Sequence, residues 1–74
     1  MSRLPRITGK QLIVALKSIG FVVIRIKGSH HFLEHPDKRC TVVPVHSGEI
    51  IGPGLMNKIL NDSEVTKQEL ADLL

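Results

Sequence analysis

Phe21-Val22-Val23-Ile24-Arg25-Ile26-Lys27-Gly28-Ser29-His30-His31-Phe32-Leu33-Glu34-His35 is the stretch that sets the architecture. Two runs rich in β-branched and aromatic residues flank a Gly-Ser pair, the sequence form of a β-hairpin closed by a two-residue turn. Such a turn fixes the register: Lys27 opposite His30, Ile26 opposite His31, Arg25 opposite Phe32 and Ile24 opposite Leu33. Side chains alternate across a strand, so one face is predicted to carry Val22, Ile24, Ile26, His31 and Leu33, the natural core side. The other face then carries Val23, Arg25, Lys27, His30, Phe32 and Glu34.

Further along the chain, Pro36-Asp37-Lys38 is a turn signal. Cys40-Thr41-Val42-Val43 reads as a third strand ending at Pro44, which cannot donate a ladder hydrogen bond. Three strands in this order make an antiparallel meander. Upstream, Thr8-Gly9-Lys10-Gln11 has the form of a capping box, and Leu12, Ala15, Leu16 and Ile19 follow at helical spacing before Gly20, predicting a helix from about Gly9 to Ile19. After a loop around His46-Ser47-Gly48-Glu49, Pro53 stands at a first helical position. Leu55, Ile59 and Leu60 give that helix its apolar face, with an end near Asn61. Thr66-Lys67-Gln68-Glu69 is a second capping box, and Leu70, Leu73 and Leu74 complete a short C-terminal helix. The order α-β-β-β-α-α predicts an α+β fold with the helices on one face of a three-stranded antiparallel sheet and the other face open. No repeat, low-complexity tract or linker divides the chain, so residues 1–74 are expected to form one domain.

At 74 residues, one core rarely supplies more than about 3–5 kcal/mol unless disulfides, a metal or a partner add to it, so a stabilising partner suits such a chain. Phe21 and Phe32 are its two phenylalanines, with no Trp or Tyr, and the core should be aliphatic. The single cysteine, Cys40, excludes an internal disulfide and suits a reducing compartment. Its expected place is the core, where a free thiol packs as a small hydrophobe. Met1-Ser2-Arg3-Leu4-Pro5-Arg6 is basic but leads into no apolar signal segment, and Lys or Arg interrupts every apolar run short of membrane-spanning length. A cytoplasmic protein without a membrane partner is expected. The net charge of +3 favours polyanionic partners, although surplus lysine also serves solubility.

A basic sheet face with one aromatic ring and one histidine suits single-stranded or shape-read RNA; an ordinary solvated face is the plain alternative. In the RNA reading Arg25 and Lys27 position phosphate and Phe32 stacks a base. The turn residues Gly28 and Ser29 complete the candidate RNA-binding set, Ser29 as a turn former rather than a nucleophile. RNA supplies its own nucleophile, the 2′-hydroxyl, so cleavage needs only a group to move a proton and cations to stabilise charge on the phosphate. His30 is the candidate, as general acid or base, because imidazole exchanges protons near neutrality. No metal site and no cofactor are expected. His31 and His35 stand too far apart on a strand to grip one ion, and His35 with Cys40 would offer only two ligands. His31 suits a satisfied, half-buried position and His46 an exposed loop. Gly52-Pro53-Gly54 could present free amides to a phosphate, though most helix starts do not.

Three elements together carry a family likeness: Gly28-Ser29-His30-His31-Phe32 behind a Phe-Val-Val-Ile-Arg-Ile strand, the helix start Gly9-Lys10-Gln11-Leu12, and Thr41-Val42-Val43-Pro44-Val45-His46. From about Arg6 to Leu74 the chain resembles HicA toxins. The resemblance implies a double-stranded-RNA-binding-domain-like (dsRBD-like) fold, α-β-β-β-α, and a toxin of a type II toxin-antitoxin system. It implies a metal-independent endoribonuclease (mRNA interferase) that cleaves messenger RNA and blocks translation. In that family the first histidine after Gly-Ser is catalytic, which maps to His30, and the family's glycine maps to Gly28. The implied partner is a HicB-type antitoxin that covers the active surface, holds the toxin in an oligomer and usually brings the DNA-binding half of an autoregulating complex. The chain departs from the common pattern at Gly52-Pro53-Gly54, where relatives often have Gly-Thr-Leu, and Lys58 is the one cation of its second helix. Two other readings stand beside this one: a non-catalytic RNA-binding module using the same face, and an interaction domain whose open face docks a protein.

Overall fold

A computed structural model describes residues 4–74. Met1, Ser2 and Arg3, the start of the stretch weighed above as a targeting signal, lie outside the described residues. The elements are α1 (Gly9–Ser18), β1 (Val22–Lys27), β2 (His30–Glu34), β3 (Cys40–Pro44), α2 (Pro53–Ser63) and α3 (Lys67–Leu73). The three strands form one antiparallel sheet in the order β1-β2-β3. This is the α+β architecture expected from the sequence, in the same element order.

Local chemistry explains why the elements begin where they do. At the start of α1 the Gln11 N–H donates to Thr8 Oγ1 at 3.2 Å, and the Thr8 N–H donates to Gln11 Oε1 at 2.9 Å. Thr66 and Glu69 repeat this exchange at α3, at 3.0 and 2.9 Å. Each box satisfies two backbone donors that a helix start otherwise leaves unpaired. Between β1 and β2, Gly28 takes φ +60° while Ser29 is not in the positive-φ region, the sign pattern of a II′ turn, whose twist matches the strands it joins.

Leu12, Leu16, Phe21, Leu33, Val43, Met56, Ile59 and Leu70 are essentially inaccessible and form the centre of the core. The helices cover the sheet face that carries Leu33, Thr41 and Val43, and α2 packs mainly on β3. Gly9 lets α1 approach the end of β3, since a Cβ there would land on the Pro44 carbonyl oxygen. The segments before α1 and α2 meet in a bridge between Thr8 and Ile50, where the Ile51 N–H donates to the Ile7 carbonyl at 2.9 Å.

Three expectations about side-chain placement need correction. First, the hairpin register holds from Lys27–His30 to Arg25–Phe32 but then shifts: Leu33 pairs with Val23, and Ile24 is an extra residue, a β-bulge. Val23 therefore turns to the core side and packs against it, whereas Val22 and Ile24, expected inside, are 53% and 56% exposed. Ile26 keeps its place opposite His31, yet no element covers that end of the edge strand and it is 60% exposed. Second, α2 buries Met56, Ile59, Leu60 and Ser63, while Leu55 lies half out. The helix also runs on to Ser63, where the hydroxyl donates to the Ile59 carbonyl at 2.7 Å and Glu64 takes a left-handed φ of 54°. Third, Cys40 is exposed, because its partner Glu34 belongs to the open face and the strand alternates accordingly.

A cluster built on Phe21 closes the far end of the hairpin. The His35 ring meets Phe21 edge-on at 5.1 Å and the Arg39 guanidinium stands 5.2 Å from its centroid. Arg39 donates Nη1–H to the Ser63 carbonyl and Nε–H to Asp37 at 2.8 Å, joining the β2–β3 turn to the C-terminal end of α2, where a cation suits the helix dipole. The His35 Nε2–H donates to the Ile19 carbonyl at 3.0 Å, and Nδ1 accepts the Asp37 N–H at 3.2 Å. His35 is thus turned towards α1 and away from Cys40.

Candidate active site

The open face of the sheet is assembled from three rows of cross-strand neighbours. His30 stands opposite Lys27 on one side and Pro44 on the other, Phe32 is flanked by Arg25 and Val42, and Glu34 by Val22 and Cys40. The register thus brings Arg25, Lys27, His30 and Phe32 onto one surface, with the turn residues Gly28 and Ser29 at its edge. The Arg25 guanidinium lies 5.7 Å from the Phe32 ring centroid, within cation–π range. The pair makes a flat, positively charged platform beside the imidazole. Among the described residues Arg25 and Lys27 form no ion pair, so both charges face solvent.

His30 is exposed, whereas its neighbour His31 is half-buried on the other face and donates Nδ1–H to the Ser29 carbonyl at 3.2 Å. The two adjacent histidines thus have different surroundings: one ring is tied back to the turn and the other projects from the platform. His46 is exposed in the loop before α2. Among the described residues no three His, Cys, Asp or Glu side chains come together as a metal site. No helix of the described chain is long and apolar enough to cross a membrane.

Hairpin alternation alone did not reveal the wall of this site. A groove of about 540 Å³ starts at Ile24, His30 and Phe32, passes over Val42 and Pro44 at the outer edge of β3, and ends on Leu55, Lys58 and Asp62 of α2. Lys58 Nζ donates to Asp62 Oδ2 at 3.2 Å, and the Thr41 hydroxyl donates to the same oxygen at 3.4 Å. The spacing of Leu55, Lys58 and Asp62, three and then four residues, is a helical stripe legible in the sequence. That this stripe flanks the open face follows only from α2 lying along β3. Cys40 also lines the groove; its partly desolvated surroundings and then the Glu34 carboxylate push its thiol up, which keeps it protonated and poorly nucleophilic at neutral pH.

A family model described as the HicA toxin of bacterial toxin-antitoxin systems matches residues 9–65, from the first residue of α1 to just past α2. The chain belongs to the HicA toxin family. A comparison with curated proteins finds no match. Membership makes this chain the toxin half of a toxin-antitoxin pair and so implies an antitoxin partner. The matched span holds the hairpin, the groove and every residue of the HicA candidate site.

Proposed function

We propose that this HicA toxin is a metal-independent endoribonuclease that cuts messenger RNA on the open sheet face and so blocks translation. The observation that carries the reading is the exposed His30 imidazole, opposite Lys27 and next to the Arg25–Phe32 platform. A base stacks on the platform, Arg25 and Lys27 hold the phosphate, and His30 takes the proton from the 2′-hydroxyl. The 2′-oxygen attacks phosphorus, the bond to the 5′-oxygen breaks, and that oxygen leaves with a proton from imidazolium or water. The products are a 2′,3′-cyclic phosphate and a 5′-hydroxyl. One positioned acid-base group is worth roughly a hundredfold to ten-thousandfold, enough for slow cleavage of long messages.

The partner in this reading is a HicB-type antitoxin that covers the open face and holds the toxin in an oligomer. Val22 and Ile24, exposed beside Arg25, supply apolar surface for such a contact. The chain then acts as one domain, in the cytoplasm, where its messages are.

One observation favours the second reading, a non-catalytic RNA-binding module: no hydrogen bond orients the His30 ring among the described residues, while the stacking platform is formed. Expression separates the two. Induction of the parent protein without antitoxin should arrest growth, and His30→Ala, made to the same level, should not. Equal toxicity of both proteins would remove His30 from the mechanism.

A further inference from the structure

The groove beyond His30 has a chemistry of its own. Phe32, Val42 and Leu55 make it largely apolar, and about 540 Å³ accommodates a purine with its sugar. His30 lines the groove on the face where Arg25 and Lys27 form no ion pair among the described residues and can hold phosphate. At the opposite end Asp62 is held by Lys58 and Thr41 through Oδ2, and Oδ1 carries no hydrogen bond among the described residues. A carboxylate only accepts hydrogen bonds. Of the four RNA bases, guanine alone presents two adjacent donors on one edge, N1–H and the N2 amino group. Adenine and cytosine place a ring-nitrogen acceptor beside their amino group, which a carboxylate repels, and the uracil N3–H is flanked by two carbonyls.

We propose that the groove over the outer edge of β3 is a nucleobase subsite that takes guanine, with Asp62 reading its donor edge and Phe32 and Leu55 enclosing its faces. The proposal rests on the RNA-cleaving reading of the same surface. It makes Asp62 a specificity-determining residue and assigns Lys58 and Thr41 to orienting its carboxylate.

The test is titration of the isotopically labelled full chain with 3′-GMP, 3′-AMP, 3′-CMP and 3′-UMP, followed through its backbone amide resonances. Shifts at Phe32, Val42, Leu55 and Lys58 are expected with 3′-GMP, at an affinity roughly tenfold or more above that for the other three, as two hydrogen bonds from the base edge to the free Asp62 Oδ1 require. Asp62→Asn, which can still accept from Thr41 and Lys58, should lose that preference. Leu55→Trp should fill the groove and abolish binding with an unchanged melting curve. Equal affinity for all four nucleotides would overturn the proposal, as would shifts outside the groove or a groove that responds only to antitoxin protein. RNA cleavage that requires His30 but shows no base preference, with no nucleotide in the groove, would sink the subsite and leave the nuclease standing. Absence of RNA cleavage would sink the nuclease reading instead.

Discussion

His30 owes its position to Gly28. The turn that launches β2 needs φ +60° at its first residue, where an L side chain is strained by about 1–2 kcal/mol, and the space around Gly28 is open. Gly28→Ala should therefore destabilise the protein by about that amount through the backbone alone, with no steric part. Chemical denaturation checks this; an unchanged midpoint would show that the turn conformation is not needed. Acid has an equally local effect. Hydrogen bonding from Arg39 holds the Asp37 carboxyl below its ordinary value, and the Thr66 backbone N–H does the same for Glu69. Both groups are more acidic folded than unfolded, so the stability they contribute is present above about pH 4 and is lost as pH falls through their folded values. Asp37→Asn should lower the melting temperature at neutral pH and flatten its decline on acidification. A parallel decline in both proteins would mean that Asp37 is not linked to folding.

At the scale of elements, α1 contributes the centre of the core through Leu12 and Leu16, both fully buried. Leu16→Ala should cost about 2–5 kcal/mol, close to the whole stability of a chain this small, and remove activity by unfolding. Normal far-UV dichroism and melting in that variant would contradict the core assignment. The sequence was most legible where a local chemical rule decides an element's start. Thr8–Gln11, Gly28–Ser29, Pro53 and Thr66–Glu69 each mark a boundary by a residue type that few other conformations want. The bulge at Ile24 left no such mark, because Val22, Ile24 and Ile26 alternate as a regular strand would and no glycine signals the extra residue. Only the buried partners Leu33 and Thr41 across the sheet select Val23 for the core. Leu55 and Met56 are adjacent and both apolar, and the packing of α2 along β3 chose Met56. Residue type predicts Cys40 in the core, whereas strand alternation puts it on the open face.

The whole molecule divides into a covered and an uncovered side. One sheet face is largely covered by the helices; the other carries two cations with no ion pair among the described residues, a ring platform, an exposed histidine and the apolar residues Val22 and Ile24. An edge strand with exposed apolar side chains is a liability that proteins usually cover. In the function proposed above the antitoxin covers this edge, so Ile24→Lys should weaken its binding while leaving the isolated toxin as stable as the parent. Calorimetric titration against the antitoxin checks this, and undiminished affinity would place the contact elsewhere. The hairpin part of the candidate site was readable because a two-residue turn fixes the cross-strand pairs nearest to it. The α2 wall of the groove was not, because it depends on how a helix some twenty residues further along the chain lies against the sheet.

We propose that His30 is the proton-transfer group of a metal-independent RNA-cutting site. The most direct test of this proposal is incubation of the purified protein and of His30→Ala with a long RNA in EDTA, after melting curves show both equally folded. The parent alone should cut, leaving 2′,3′-cyclic phosphate ends. Cutting by both proteins, or by neither while both bind the RNA, would contradict it.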